Sequence, residues 1–305
     1  MWLGAHLGIA AGLADAVHEG RQIGCDCLQI FSKSPQMWKG PAIAPTAAEE
    51  FRAAVVFERM RATAVHHGYL ANLASPKAFV LRRSRAAFLD ELGRAELLGV
   101  DALIFHPGAH LKSGVESGLK TIAESLTLAL EKVPEGRVRI LLENAAGQGT
   151  TLGSTFEELA SVLAQVGRPD RVGVALDTCH LFAAGLDFRD DRTYGELMDR
   201  VDRVLGPGTV RAFHLNDAKE SLGSHLDRHE NIGKGEIGVE GFRRLVNDPR
   251  WSETPGYLET PLDDRGYALY AEGLRTLRSL LEPPPGAVPE RPPARRSAAR
   301  RSTVK

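Results

Sequence analysis

The stretch Val172-Gly-Val-Ala-Leu-Asp-Thr-Cys-His-Leu181 organises the chain. Its first five residues form an apolar, β-branched run of the kind that makes a strand buried on both faces. The run stops at Asp177 and His180, two metal-capable groups that a buried strand does not tolerate without partners. An α/β barrel builds its active site in this way, from side chains at the C-terminal rim of its strands. The fold then turns on whether other apolar runs end alike.

They do. Apolar runs recur at residues 2–8, 25–32, 64–70, 102–108, 138–144, 172–178, 210–216 and 256–260. Helical patterns follow them at 12–23, 47–61, 83–98, 116–132, 155–166, 194–205, 239–247 and 266–281. Thr46 ahead of Glu49 and Glu50, and Ser154-Thr155 ahead of Glu157 and Glu158, read as capping boxes, and Gly99 as a helix C-cap. Strand–helix alternation repeated eight times predicts a parallel sheet with right-handed crossovers, closed into a (β/α)8 TIM barrel over residues 1–282. An open doubly wound sheet would carry a glycine-rich phosphate loop after its first strand, and Gly4-Ala-His-Leu-Gly8 is no such loop.

The composition fits one such domain: 305 residues, 43% hydrophobic and 25% charged, with a net charge of −1 that provides no global field for nucleic acid. Three cysteines (Cys25, Cys27, Cys179) are too few for a disulfide framework, which points to a reducing compartment. Cys25 and Cys27 read as small buried hydrophobes. With no leader-like start and no apolar stretch long enough for a membrane span, the expectation is a cytoplasmic protein that needs no membrane. Residues 283–305, rich in proline and arginine and poor in large apolar side chains, predict a disordered basic tail. Nothing in the sequence points to an oligomer, so a monomer is expected.

Taken to their C-terminal ends, the strands offer His66, His106, Glu143, Asp177 with His180, His214 and Glu259, and the loop after the seventh adds Asp227 and His229. Any one of these histidines is more often a hydrogen-bonded core residue than a ligand. The set is different, because several carboxylates gathered at one rim repel one another unless cations lie between them. Imidazole and carboxylate without thiolate suit zinc or manganese better than magnesium. At about three or four protein ligands per ion, nine ligands fill two or three sites. Clustered metals about 3.5–4 Å apart suit hydrolytic phosphoryl transfer, whereas no Gly-x-Ser-x-Gly elbow supports a covalent serine route.

With these residues in view, the sequence resembles the endonuclease IV family of apurinic/apyrimidinic endonucleases. The likeness runs from Gly4-Ala-His-Leu through Phe105-His-Pro-Gly, Leu142-Glu-Asn, Leu176-Asp-Thr-Cys-His-Leu-Phe-Ala-Ala-Gly, Phe213-His-Leu-Asn-Asp and Asp227-Arg-His-Glu-Asn-Ile-Gly-Lys-Gly to Leu258-Glu-Thr-Pro. The resemblance implies a trinuclear zinc site, with manganese allowed at one position. His66 and His106 would hold the first ion, with Glu143 bridging to a second completed by Asp177, His214 and Glu259. His180, Asp227 and His229 would hold the third, and Glu143, Asp177 and Glu259 would be the catalytic carboxylates. His67, adjacent to a ligand, is expected to support rather than bind.

The implied reaction cuts double-stranded DNA on the 5′ side of an abasic site, leaving a 3′-hydroxyl and a 5′-deoxyribose phosphate. In the family the lesion is rotated out of the duplex, feasible because a site without a base has little stacking to lose. Tyr69 and Leu70 match the family's wedge, and Gln36 stands where relatives often carry an arginine that fills the vacated stack. Uncharged Gln36 implies a weaker grip on the gap. The alternatives are a metal-dependent sugar isomerase or epimerase on the same barrel, which has no role for His180, Asp227 and His229, and a metal-stabilised DNA-binding scaffold without activity.

Overall fold

The computed structural model describes residues 1–282, so the basic tail expected from 283 onward lies outside the described residues. In chain order the first half runs β1 (Trp2–Leu7), α1 (Leu13–Ile23), β2 (Cys27–Ile30), α2 (Pro45–Phe57), β3 (Ala62–His66), α3 (Ala78–Leu98), β4 (Ala102–Phe105), α4 (Val115–Lys132), β5 (Arg139–Glu143) and α5 (Phe156–Val166). The second half runs β6 (Val172–Asp177), α6 (Thr178–Ala183), α7 (Asp191–Val204), β7 (Val210–His214), β8 (Asp217–Ala218), β9 (His229–Glu230), α8 (Gly238–Asn247), β10 (Pro255–Leu258) and α9 (Ala268–Ser279). Eight of these strands are parallel and close into a barrel, since β1 pairs with β2 on one side and β10 on the other. β8 and β9 form a separate antiparallel pair above it. Among the described residues no helix is long and apolar enough to cross a membrane.

Alternation along each strand divides the core in two. Leu3, Leu28, Val65, Leu103, Leu142, Val174, Phe213 and Leu258 point outward and pack under the helices in one continuous cluster. The inward set is smaller: Cys27, Ala62, Ala64, Ala102, Ile104, Leu141, Ala175, Ala212 and Tyr257 fill the barrel's interior. Gly4 faces that interior where β2 comes closest, and a Cβ there would stand 1.8 Å from the Cys27 carbonyl oxygen. Cys25 and Cys27 are buried free thiols, as expected.

Several helix ends differ from expectation. Thr46 does not cap α2, because Pro45 already occupies its first turn and starts the helix from Ala44. α3 begins at Ala78, five residues before the apolar stripe becomes visible, since Phe79, Arg82 and Arg83 in its first turns face solvent. α7 starts at Asp191 behind a capping box of Asp190 and Thr193. Thr155 does cap α5, accepting from the Glu158 N–H at 3.2 Å, and Gly99 ends α3 in the left-handed conformation.

Candidate metal centre

The inward alternation of every barrel strand continues one step past its apolar residues and ends in a polar side chain. Gly4 leads to His6, Cys27 to Gln29, Ala64 to His66, Ile104 to His106, Leu141 to Glu143, Ala175 to Asp177, Ala212 to His214 and Tyr257 to Glu259. Eight strands thus place one polar layer on top of the apolar one. Six of these residues were expected from the sequence. His6 and Gln29 were not, although the same two-residue step marks them.

His180, Asp227 and His229 reach this layer from above. Asp177 caps α6, its Oδ1 accepting the His180 N–H at 2.9 Å, which fixes His180 one turn above the strand end. Asp227 lies just before β9 and His229 opens it, and Asp217 of β8 holds the turn that follows: its carboxylate accepts from the N–H groups of Ala218, Gly233, Gly235, Ile237 and Gly238 at 2.8–3.4 Å.

Ligand-capable atoms of all nine expected residues come within 4.8 Å of one another in groups. One group is His66, His106 and Glu143; a second is Glu143, Asp177, His214 and Glu259; a third is His180, Asp227 and His229. Glu143 belongs to two. Cys179 also falls beside Asp177 and His229, but burial pushes its thiol far above the usual range and its Sγ donates to the Arg228 carbonyl at 3.5 Å, so it stays protonated. His67 joins no group. It stacks on Phe88 with ring centroids 5.4 Å apart, and its Nδ1–H donates to the Gly68 carbonyl.

Four of the five histidines are oriented by the nitrogen that faces away from the centre. The Nδ1–H of His66 donates to the His67 carbonyl (2.8 Å), that of His180 to the Asn144 carbonyl (2.8 Å) and that of His229 to the Glu259 carbonyl (3.2 Å). His214 is reversed: its Nε2–H donates to Gln29 Oε1 at 3.0 Å, leaving Nδ1 inward. Each inward nitrogen is then a lone pair, the form that binds a cation. Two of these, His180 Nε2 and His229 Nε2, are buried with no hydrogen-bond partner although each lies 3.2 Å from an Asp227 oxygen. Such orphaned ligand atoms, beside a half-exposed Asp227 and above the buried Glu143 and Asp177, fit divalent cations.

The electrostatics agree. Burial works to raise the carboxyls of Glu143 and Glu259, but the surrounding histidines outweigh it and hold both below the usual carboxylate range. Asp227 is held low in the same way by His180 and His229. Conversely, burial works to lower His214 and His229, and the facing carboxylates (Glu259 and Glu143; Asp177 and Asp227) lift each to about 9. The centre is therefore an excess of fixed negative charge that gathers protons when nothing stronger is bound.

The expected DNA-contacting residues stand beside this centre. Tyr69 is 64% exposed with its ring 6.2 Å from those of both His66 and His106, and Leu70 is 40% exposed next to it. Gln36 is exposed on the loop after β2, which packs against the loop after β3: a Cβ on Gly68 would lie 2.8 Å from the Pro35 carbonyl oxygen. A cavity of 360 Å³ opens between Tyr69, His106, Thr151 and Asp227.

Comparison with known proteins gives the same picture. Residues 17–280 match the family model described as a xylose isomerase-like TIM barrel, AP endonuclease family 2. A protein called probable endonuclease 4 from Geobacter sulfurreducens is 42% identical over 281 residues, 92% of this chain and 94% of that protein. Another so called, from Chlorobium luteolum, is 45% identical over 282 residues, 91% and 99% of the two chains. The crystal structure of endonuclease IV from Thermus thermophilus superimposes with a TM-score of 0.81 at 35% identity, covering 92% and 98%. A D-tagatose 3-epimerase-like protein shares the fold at 16% identity, TM-score 0.69, covering 92% and 97%. On the length and identity of these matches, the chain belongs to the endonuclease IV family within the xylose isomerase-like TIM barrels.

Proposed function

We propose that this protein is a DNA-repair endonuclease that hydrolyses the phosphodiester on the 5′ side of an abasic site in double-stranded DNA, leaving a 3′-hydroxyl and a 5′-deoxyribose phosphate. It acts as a cytoplasmic monomer with three divalent ions per chain. The observation that carries the reading is the convergence of inward lone pairs on carboxylates, Glu143 and Asp177 buried and Asp227 half-exposed, in three groups. His66, His106 and Glu143 hold one ion, Glu143, Asp177, His214 and Glu259 a second, and His180, Asp227 and His229 a third. The donor set favours zinc, with manganese allowed at one position. Such ions supply positive charge to the scissile phosphate and lower the pKa of the attacking water.

The remaining work belongs to the chain. Glu143, Asp177 and Glu259 fix the spacing of the centre; Glu259 is itself aimed by the Nδ1–H of His6 (2.8 Å) and the Nε2–H of Gln29 (2.6 Å), both donating to its Oε1. Tyr69 and Leu70 wedge the base stack open, Gln36 enters the gap, and the cavity beside Tyr69 receives the extruded sugar. The sugar-epimerase alternative leaves the third group without a task, and its neighbours share with this chain only the fold.

The test is a duplex carrying one tetrahydrofuran abasic analogue, which resists β-elimination. Metal-loaded protein is expected to nick it and leave an end that a polymerase extends. Binding without a nick, or sugar turnover in its place, overturns the assignment. Metal analysis should find three ions per chain, and one or fewer overturns the trinuclear centre.

A further inference from the structure

Beside the wedge loops lies a cluster of cations that the metal centre does not use. The guanidinium carbon of Arg83 sits 4.3 Å from the Trp38 ring centroid and 5.6 Å from that of Phe79, and Arg82 lies 5.7 Å from Phe79. Phe79 is 60% exposed, and Lys39 and Lys77 are exposed on the same rim. Arg83 therefore joins the loop after β2, which carries Gln36 and Trp38, to the first turns of α3, just past the loop that carries Tyr69 and Leu70.

Cations outnumber acids here. Glu91 turns inward and bonds Lys33, while Asp90 lies 3.5 Å from Lys33 and lines the same cavity as Trp38, Lys39 and Arg83. Among the described residues no carboxylate pairs with Lys39, Lys77, Arg82 or Arg83, whereas the next arginine, Arg85, reaches Glu124. On the opposite side of the barrel Arg192 pairs with Glu196, Arg200 with Glu157 and Arg244 with Asp191, at 2.6–2.9 Å, although not every arginine there is paired.

The platform is also rigid. Arg94 of α3 ties down both ends of the loop, donating from Nε to Ser32 Oγ (2.7 Å), from Nη2 to the Ser32 carbonyl (2.5 Å) and from Nη1 to the Pro41 carbonyl (2.7 Å). A guanidinium held over an indole and unpaired with any carboxylate keeps N–H groups that match two oxygens of a phosphate. Little rotamer freedom remains to be lost on binding.

We infer that Arg82 and Arg83, flanked by Lys39 and Lys77, bind backbone phosphates of intact duplex beside the lesion. The inference rests on the nuclease reading of the site. Because the contact is to phosphate alone, it reads no sequence and no damage. It holds the duplex in register while the neighbouring wedge searches for a place that opens.

The test measures the affinity of metal-loaded wild type, Arg82→Ala, Arg83→Ala and the double variant for abasic and undamaged duplexes across a salt series. Each lost phosphate contact lowers the slope of log affinity against log salt by about 0.9, so the double variant is expected to lose about 1.8, equally on both duplexes. In turnover the loss appears in KM and its salt dependence, with metal content at the wild-type level. Unchanged slopes overturn the inference, as does a slope change seen on single-stranded DNA but not on duplex. Arg83→Ala that lowers kcat with its slope intact assigns that residue to supporting Trp38 and also overturns it. Among the described residues Arg82 makes no hydrogen bond, ion pair or cation–π contact with the loop, and its slope is free of that ambiguity. Wild type that fails to nick abasic duplex breaks the nuclease reading instead, so the two failures are distinct.

Discussion

At the scale of single residues, what matters in the centre is which nitrogen of each imidazole is free. His66, His180 and His229 spend Nδ1–H on main-chain carbonyls, and His214 spends Nε2–H on Gln29. Gln29 does two jobs with one amide, since its nitrogen also donates to Glu259. Replacing it with alanine frees both ligands to turn, and loss of such an outer partner typically weakens metal binding about 10- to 100-fold. Gln29→Ala should therefore surrender metal to a competing chelator at a correspondingly lower chelator concentration, with far-UV circular dichroism unchanged; retention at the wild-type level would show that the amide orients nothing. Glu143→Gln removes the carboxylate shared by two groups and is expected to abolish nicking while the barrel stays folded. The six inward histidines and carboxylates were legible because such side chains at strand ends are conspicuous. Gln29 was not, because an amide attracts no notice as a ligand and its role appears only when β2 is placed beside β1 and across from β7.

At the scale of elements, the third group depends on a segment with almost no regular structure. Residues 217–237 contain only the two short strands β8 and β9, and the segment is held by the five N–H groups that converge on Asp217. Asp217→Asn keeps the shape but turns an amide NH2 toward those donors, leaving buried groups unpaired at about 1–3 kcal/mol. The expected result is loss of the ion held by Asp227 and His229, seen as two metals per chain in place of three, with nicking lost and the barrel still cooperative in melting. Three metals and full activity in this variant would mean that the loop is held by other contacts. The sequence located Asp227 and His229 but not what positions them, because a loop fixed by one carboxylate has neither periodicity nor turn signature. α6 escaped for a similar reason: its six residues are too few to display an amphipathic pattern, and only Asp177 acting as its cap, a role overshadowed by its place among the candidate ligands, explains where it begins.

At the scale of the whole molecule, the barrel was readable because eight strand–helix units repeat one pattern, and closure followed from their number. The stability of that barrel is tied to the same rim that carries the chemistry, and its dependence on pH follows from the charges there. In the metal-free protein the carboxylates overcome burial to hold His214 and His229 at about 9, against about 6.5 in an unfolded chain. The stability these two contribute is fully present below about pH 6.5 and is lost as pH rises through about 9. Glu143, Glu259 and Asp227 are held low against their burial, so their contribution is present above about pH 4 and is lost as pH falls. Protein stripped with a chelator should accordingly show a Tm that declines from about pH 6.5 to 9. Bound cations replace those protons on the same lone pairs, and binding to the folded state alone adds stability that grows as protons become scarcer competitors. Metal-loaded protein should thus hold its Tm across pH 7–9, and the gap between the two forms should widen with pH. Scanning calorimetry of both forms decides it: a stripped protein whose Tm is flat from about pH 6.5 to 9 would mean that the rim's charges are not what the barrel's stability depends on.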